Sequence, residues 1–138
     1  MFVLDTDTLS LLLRGQVRVA ERVGQATEEV AITLISRIEI LQGRFAAVLK
    51  AENGEKLRRA QQRLLESEQD LSRFTILGIA AEAADEFDRL RRNKKLKKIG
   101  RADLLIAALT VANRATLVTR NRKDFDQVPG LAVENWAD

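Results

Sequence analysis

The chain has 138 residues, of which 46% are apolar, and a formal net charge of +3. This length and composition predict one domain, spanning residues 1–138, with a core of its own. The chain contains no His, Cys or Tyr, which excludes a serine–histidine–aspartate triad, a cysteine nucleophile, a two-histidine ribonuclease mechanism and a zinc site of the usual kind. The sequence has no membrane-spanning run and no secretory signal pattern, so we expect an intracellular, cytoplasmic protein.

Short apolar segments alternate with helical patterns along the chain. The segment Phe2–Leu4 predicts a buried strand, and Thr6 or Asp7 is the predicted cap of the helix that follows. Such alternation predicts βαβ units, and therefore a three-layer α/β/α sandwich with a central, mostly parallel sheet of four to five strands. The other predicted strands are 30–33, 74–77, 116–119 and one near 131–134, and the other predicted helices are 17–23, 34–51, 55–70, 80–95 and 102–113.

The positive charge is concentrated in one segment. Residues 89–101, RLRRNKKLKKIGR, hold eight Lys or Arg and no acid, which leaves 15 basic against 20 acidic residues in the rest of the chain. We call this segment the basic band. A basic band on an acidic body suggests a polyanionic partner, although a solvated helix surface explains one basic run equally well when it is taken alone.

Acidic side chains recur where ligands gather in such folds. Asp5 directly follows the first strand, and ligands of parallel α/β sheets bind beyond the carboxyl ends of the strands. Glu39 borders the apolar stripe of a helix, where a carboxylate needs a cation or hydrogen bonds. Asp103 opens the most apolar helix of the chain. Asn121 and Asp124 follow the fourth strand.

Each acid also has an ordinary structural interpretation. Asp5 could be a turn or cap residue, and Glu39 could pair with an arginine such as Arg44. Asp103 could simply stabilise the first turn of its helix. Taken together, however, the acids predict a site for a hard cation such as Mg²⁺ or Mn²⁺. Metal-activated water is the obvious route to hydrolysis in a chain that has no histidine.

Four motifs occur in order along nearly the whole chain. They are LDTDTLS at residues 4–10, ITLISRIEILQG at 32–43, IGRADLLIAA at 99–108 and LVTRNRKDFDQVPGLAVENW at 117–136. Any one of these motifs is weak evidence. Together, at ordinary spacing, they resemble the PIN-domain ribonucleases, and specifically the VapC-type toxins of type II toxin–antitoxin systems.

The resemblance implies an Mg²⁺-dependent ribonuclease, with Mn²⁺ as the alternative ion. Its catalytic residues and metal ligands would be Asp5, Glu39 and Asp103. The resemblance leaves open whether Asn121 or Asp124 supplies a fourth polar position. Asp7 stands where many relatives carry Asn, so its carboxylate either binds the metal ion itself or only supports a residue that does. The small hydroxyls expected around the pocket belong to Thr6, Ser36 and Thr119.

The resemblance also implies the partners. The substrate would be RNA, which in relatives is often a structured RNA such as transfer RNA. The other partner would be a small cognate antitoxin whose tail occupies the acidic groove, and the toxin would form a homodimer and a larger hetero-oligomer with it, away from any membrane. The basic band leads directly to Asp103 and is expected to contact RNA phosphates. The side chains proposed for these contacts are Arg92, Lys94, Lys95, Lys97, Lys98 and Arg101.

Two other interpretations fit parts of the sequence. LDTDT is near the Asp-x-Asp-x-Thr motif of haloacid-dehalogenase-like phosphatases, in which Asp5 would be the nucleophile and Asp7 the acid or base. Leu9 occupies the position of the motif's threonine, and the late pair of aspartates is missing, so this interpretation is the weaker one. The second alternative is a PIN module that binds RNA without cutting it. The presence of all the expected acids argues against this alternative.

Overall fold

A five-stranded parallel sheet forms the centre of the protein. The computed structural model describes residues 1–138. The strands pair in the order β3-β2-β1-β4-β5, and every neighbouring pair is parallel. The central, mostly parallel sheet predicted from the sequence is therefore confirmed. The strands are β1 (Phe2–Leu4), β2 (Val30–Thr33), β3 (Thr75–Leu77), β4 (Thr116–Val118) and β5 (Ala132–Glu134).

Helices cover both faces of this sheet, because side chains alternate between the faces along each short strand. Val3 and Leu117 belong to one core, which includes residues of α5 and α6, whereas Leu4 and Val118 belong to a second core on the opposite face. The three-layer α/β/α architecture is thus confirmed. No helix combines the length and the apolar character needed to cross a membrane. The helices are α1 (Thr6–Leu13), α2 (Val17–Gln25), α3 (Leu34–Lys50), α4 (Gly54–Leu71), α5 (Ala81–Arg92), α6 (Arg101–Ala112) and α7 (Arg122–Phe125).

Two local predictions were wrong, and one short helix was not predicted. The cap of α1 is Asp5, whose side chain accepts a hydrogen bond from the Thr8 N–H, and not Thr6 or Asp7. Helix α5 ends at Arg92 and not at residue 95, because Asn93 is extended and its side chain caps a 3₁₀ turn at Lys94–Leu96. The short helix α7, which the side chain of Asn121 caps, was not among the predicted helices.

The strand order brings distant parts of the sequence to one edge. Strand β1 lies between β2 and β4, and parallel strands end at the same edge of a sheet. Asp5, which follows β1, donates its backbone N–H to the Val118 carbonyl at the end of β4 (3.0 Å). Thr33 ends β2, and Thr119 follows β4. Polar residues from three strands therefore meet at the carboxyl edge.

Candidate active site

Asp5 is a buried carboxylate at the centre of this edge, with 6% of the residue exposed. Its Oδ1 accepts a hydrogen bond from the Thr8 backbone N–H (2.8 Å), and its Oδ2 accepts one from the Thr119 hydroxyl (2.5 Å). Burial raises the pKa of Asp5, while these two hydrogen bonds act in the opposite direction. The contacts fix both oxygens of the carboxylate at the N-terminus of α1, where a negative charge is favoured.

The Thr119 hydroxyl links Asp5 to the loop after β4. It donates to Asp5 and accepts a hydrogen bond from the backbone N–H of Asn121 (3.0 Å). The Asn121 amide in turn donates to the Asp124 carboxylate (3.0 Å). Asn121 lines the cavity described below, whereas Asp124 affects it through its charge.

A chain of three hydroxyls leads to Glu39. The Thr6 hydroxyl donates to Glu39 Oε1 (2.7 Å) and lies 2.9 Å from the Ser36 hydroxyl, which is 3.3 Å from the Thr33 hydroxyl. Each hydroxyl has a single proton. Because the Thr6 proton is used on Glu39, Ser36 must donate to Thr6, and Thr33 donates to Ser36. The three O–H groups are therefore aligned in the direction of Glu39, and the Thr6 O–H donates to its carboxylate directly.

Asp103, in the first turn of α6, faces the other acids. Partial burial raises the pKa of Asp103, and the negative charges of Asp5, Glu39 and Asp124 raise it further. The charges of Asp5, Glu39 and Asp124 are therefore close enough to oppose that of Asp103. The sequence placed them on separate elements, and the fold brings their charges to one edge of the sheet.

A cavity of about 560 Å³ opens where these residues meet. Its wall combines carboxylates with two arginines, Arg14 and Arg44. Arg44 does not pair with Glu39, as the alternative interpretation of that acid required; its Nε donates to the Ser67 hydroxyl instead (2.9 Å). The lining residues are Asp5, Thr6, Asp7, Ser10, Arg14, Glu39, Ile40, Gly43, Arg44, Asp103, Asn121 and Phe125.

Asp7 and the basic band lie at or beyond the margin of this cavity. The Asp7 side chain is 59% exposed and lies 3.7 Å from Arg120, which also contacts Asp138. None of the basic side chains proposed for phosphate contacts lines the cavity. The four lysines of the band are exposed around the 3₁₀ turn, and the Arg101 guanidinium lies over the Phe87 ring.

The chemistry of the cavity suits a hard cation. Its acidic groups and amide offer only oxygen ligands, which Mg²⁺ and Mn²⁺ prefer, and a cation would relieve the repulsion that raises the pKa of Asp103. The buried Thr8 hydroxyl, which has no hydrogen-bond partner, lies close enough to Asp5 to lower its pKa. No group of three or more acids stands close enough together to hold an ion without side-chain movement.

Sequence reasoning missed two kinds of contributor. Thr33 begins the hydroxyl chain, and the Thr-x-x-Ser spacing at the start of α3 was the available signal, because it is typical of a helix cap. Arg14 and Arg44 line the cavity, but no local pattern distinguishes them from other arginines. Their position follows from the packing of α1, α3 and α4.

Comparison with known proteins agrees with this fold. Residues 2–131 match the PIN domain family, and the chain belongs to that family. This membership decides against the phosphatase interpretation. Within the family, the chain is similar to the VapC proteins: it is 35% identical to Ribonuclease VapC2 of Rickettsia felis over 109 residues, which are 78% of this chain and 74% of that protein.

Further similarities extend over nearly the full length. The chain is 25% identical to the tRNA(fMet)-specific endonuclease VapC of Salmonella typhimurium, over 98% of this chain and 97% of that protein. Among solved structures, it superposes on VapBC2 from Rickettsia felis bound to a DNA fragment from their promoter with a TM-score of 0.80 and 28% identity, covering 98% of both chains. DNA-bound VapBC from Salmonella typhimurium gives a TM-score of 0.79 and 26% identity, covering 98% and 97%.

Proposed function

We propose that this chain is the toxin of a type II toxin–antitoxin pair and that it hydrolyses RNA phosphodiesters with Mg²⁺, for which Mn²⁺ can substitute. Residues 1–138 act as one nuclease domain in this proposal. The observation that carries it is the cavity at the carboxyl edge of β1 and β4, into which separate parts of the fold bring the carboxylates of Asp5, Glu39 and Asp103. VapC relatives named as ribonucleases support the same reaction.

Asp5, Glu39 and Asp103 would hold the metal ion. The ion would supply a water of lowered pKa and offset the charge that develops on the phosphate oxygens. Asp5 is the most rigid of the three, because both of its oxygens accept hydrogen bonds. Glu39 has Oε1 fixed by Thr6, which leaves Oε2 to accept a hydrogen bond from the attacking water. Asp103 completes the negative pocket.

RNA binding requires positive charge, because the empty cavity repels a polyanion. The lysines of the basic band are exposed, and none of them forms an ion pair. They lie immediately before α6, which carries Asp103. Phosphate contacts by this band would hold the substrate in position without reading its sequence.

The outer surface of α3 and α4 supports the proposed protein partners. Phe45 is 53% exposed and Leu49 is 70% exposed on α3, and Leu57 and Leu65 are exposed on α4. Exposed apolar side chains on neighbouring helices are typical of surfaces that another protein covers. We propose that an antitoxin and a second copy of this chain use such surfaces, since relatives have been solved as VapBC assemblies.

The decisive experiment is RNA cleavage by antitoxin-free protein. Wild type, Asp103→Asn and the matched control Asp85→Asn, whose side chain is exposed on α5, are incubated with total RNA and Mg²⁺, Mn²⁺ or EDTA. We expect discrete fragments from wild type and control with either metal, and none from Asp103→Asn or with EDTA. Folded, metal-bound wild type that binds RNA but leaves it intact would instead establish the non-catalytic RNA-binding module.

A further inference from the structure

Three arginines converge beside the acidic cavity, on a side that the proposed metal chemistry does not use. Arg14 follows α1, Arg44 lies in α3 and Arg63 lies in α4. Arg14 and Arg44 line the acidic cavity and also a neighbouring cavity of about 370 Å³, whose wall includes Arg63. The two arginines thus form the wall that the cavities share.

These arginines have no carboxylate partner. None of them takes part in an ion pair within 4.0 Å. Glu66 and Asp70 line the smaller cavity, but Glu66 accepts a hydrogen bond from Gln62 and Asp70 pairs with Arg73.

The lowered pKa of Arg44 shows that its positive charge is unfavourable in this arrangement. Partial burial lowers the pKa of Arg44, and the positive charges of Arg63 and Arg14 lower it further. An arginine nevertheless stays protonated in a protein. No carboxylate lies within 4.0 Å of these guanidinium groups, so a bound anion would stabilise their positive charge.

Arg44 is held in a fixed position. Its Nε donates to the Ser67 hydroxyl at 2.9 Å, and Ser67 is only 5% exposed. This contact uses one donor and leaves the two terminal nitrogens of the guanidinium free. A planar pair of N–H donors matches two oxygens of a phosphate group better than a lysine does. Arg44 therefore offers unused guanidinium donors in a defined position.

We propose that Arg14 and Arg44 bind an RNA phosphate adjacent to the one that is hydrolysed, with Arg63 lining the path of the strand beyond it. This inference rests on the proposed ribonuclease function. A strand that enters the acidic cavity carries a further phosphate with each nucleotide, and the shared arginine wall is the cationic surface that it meets directly beside the acids. An acidic protein segment is the less suitable occupant, because it has no regularly spaced phosphates and no scissile phosphodiester bond to place in the acidic cavity.

The first test measures how RNA affinity depends on salt. The double variant Arg14→Met/Arg44→Met and the control Arg58→Met, whose arginine is exposed on α4 away from this wall, are compared in the Asp103→Asn background, which prevents cleavage. The probe is the RNA fragment that wild type cuts. Each phosphate of a single strand that is no longer neutralised reduces the slope of log affinity against log salt by about 0.7, so loss of the one phosphate contact in the double variant should reduce the slope by about 0.7. The control should keep the full slope.

The second test identifies the phosphate. Single neutral methylphosphonates are placed in turn at positions flanking the mapped cleavage site. One flanking substitution should weaken wild type by roughly tenfold, as the removal of one good charged hydrogen bond does, and should not weaken the double variant further. Arg14→Met alone changes an exposed residue and leaves the Arg44–Ser67 contact intact, so it should reduce the slope by less than the double variant does.

The two proposals fail in different ways. Wild type that neither binds nor cleaves RNA would remove the ribonuclease function and this subsite together. RNA cleavage by wild type, with an unchanged salt slope and additive methylphosphonate effects in the double variant, would refute the arginine subsite alone. Competition for the arginines by an acidic peptide, without any effect on RNA, would assign the site to a protein partner and also overturn it.

Discussion

The Thr119 hydroxyl should contribute more to stability than any other single hydroxyl of the sheet edge. It donates to the buried Asp5 carboxylate at 2.5 Å and accepts from the Asn121 N–H at 3.0 Å. Hydrogen bonds to charged groups are worth about 1.5–3 kcal/mol, and an unsatisfied buried donor costs about 1 kcal/mol more. We therefore expect Thr119→Val, which keeps the shape of the side chain, to lose roughly 2–4 kcal/mol of unfolding free energy.

Thr110→Val is the matched control. Both threonines are fully buried, but the Thr110 hydroxyl donates to the Ile106 carbonyl (2.7 Å) within its own helix. Removing it leaves no charged group unpaired, so the loss should stay under about 1 kcal/mol. Denaturant unfolding in EDTA measures both variants against wild type, because metal binding would otherwise mask the difference.

The pH dependence tests the cause. The Thr119 hydrogen bond lowers the pKa of Asp5, so the variant should have a still higher pKa at this carboxyl group. The destabilisation should therefore be greatest above the pKa of Asp5, where the carboxylate is charged, and should shrink as the pH falls through that raised pKa. Equal losses in the two variants, or a Thr119→Val loss that does not change with pH, would refute the reasoning.

The acidic residues, the hydroxyl chain and the basic band give three further predictions. Burial and neighbouring charges raise the pKa of Asp103 in the folded state, so the stability that the protonated carboxyl group contributes is lost as pH rises through that pKa. Asp103→Asn should therefore raise the melting temperature in EDTA at neutral pH. Mg²⁺ at about 100 times its Kd should stabilise only wild type, by about 2.7 kcal/mol. Ser36→Ala interrupts the hydroxyl chain to Glu39 and should lower kcat more than it raises KM. The same variant should lose about 1 kcal/mol of unfolding free energy, measured by thermal unfolding. Exchange of the four lysines of the basic band for glutamine should weaken RNA binding and flatten its salt dependence by about 0.7 for each phosphate that the band neutralises; unchanged binding in a filter assay would exclude the band from the RNA surface.

Local sequence patterns were sufficient to predict the strands, most of the helices and the fold. Alternating short apolar segments and amphipathic helices permit few arrangements other than a parallel sheet between helix layers. The details that failed depend on competition between neighbouring side chains. Asp5, Thr6 and Asp7 can all cap a helix in principle, and the contact between Asp5 and Thr119, which are 114 residues apart in the chain, favours Asp5.

The candidate acids were predictable from local patterns as well, but the hydroxyls and arginines around them were not. Asp5 and Asp103 lie next to strand and helix boundaries that the sequence marks clearly. The hydroxyl chain to Glu39 joins the first residue of α1 to Thr33 and Ser36 at the start of α3, and the arginine wall joins the end of α1 to α3. Such contacts are set by how helices pack on the sheet, which no local pattern of residues encodes.

The double role of Asp5 has a consequence for how the gene can lose activity. The same carboxylate that would hold a metal ion also begins α1 and ties β1 to the residue after β4. Changes at Glu39 or Asp103 leave those structural contacts in place and should yield inactive but abundant protein, whereas changes at Asp5 should also reduce abundance. Among spontaneous mutants selected to survive expression of the toxin, those that still sequester antitoxin should therefore be found at Glu39 and Asp103.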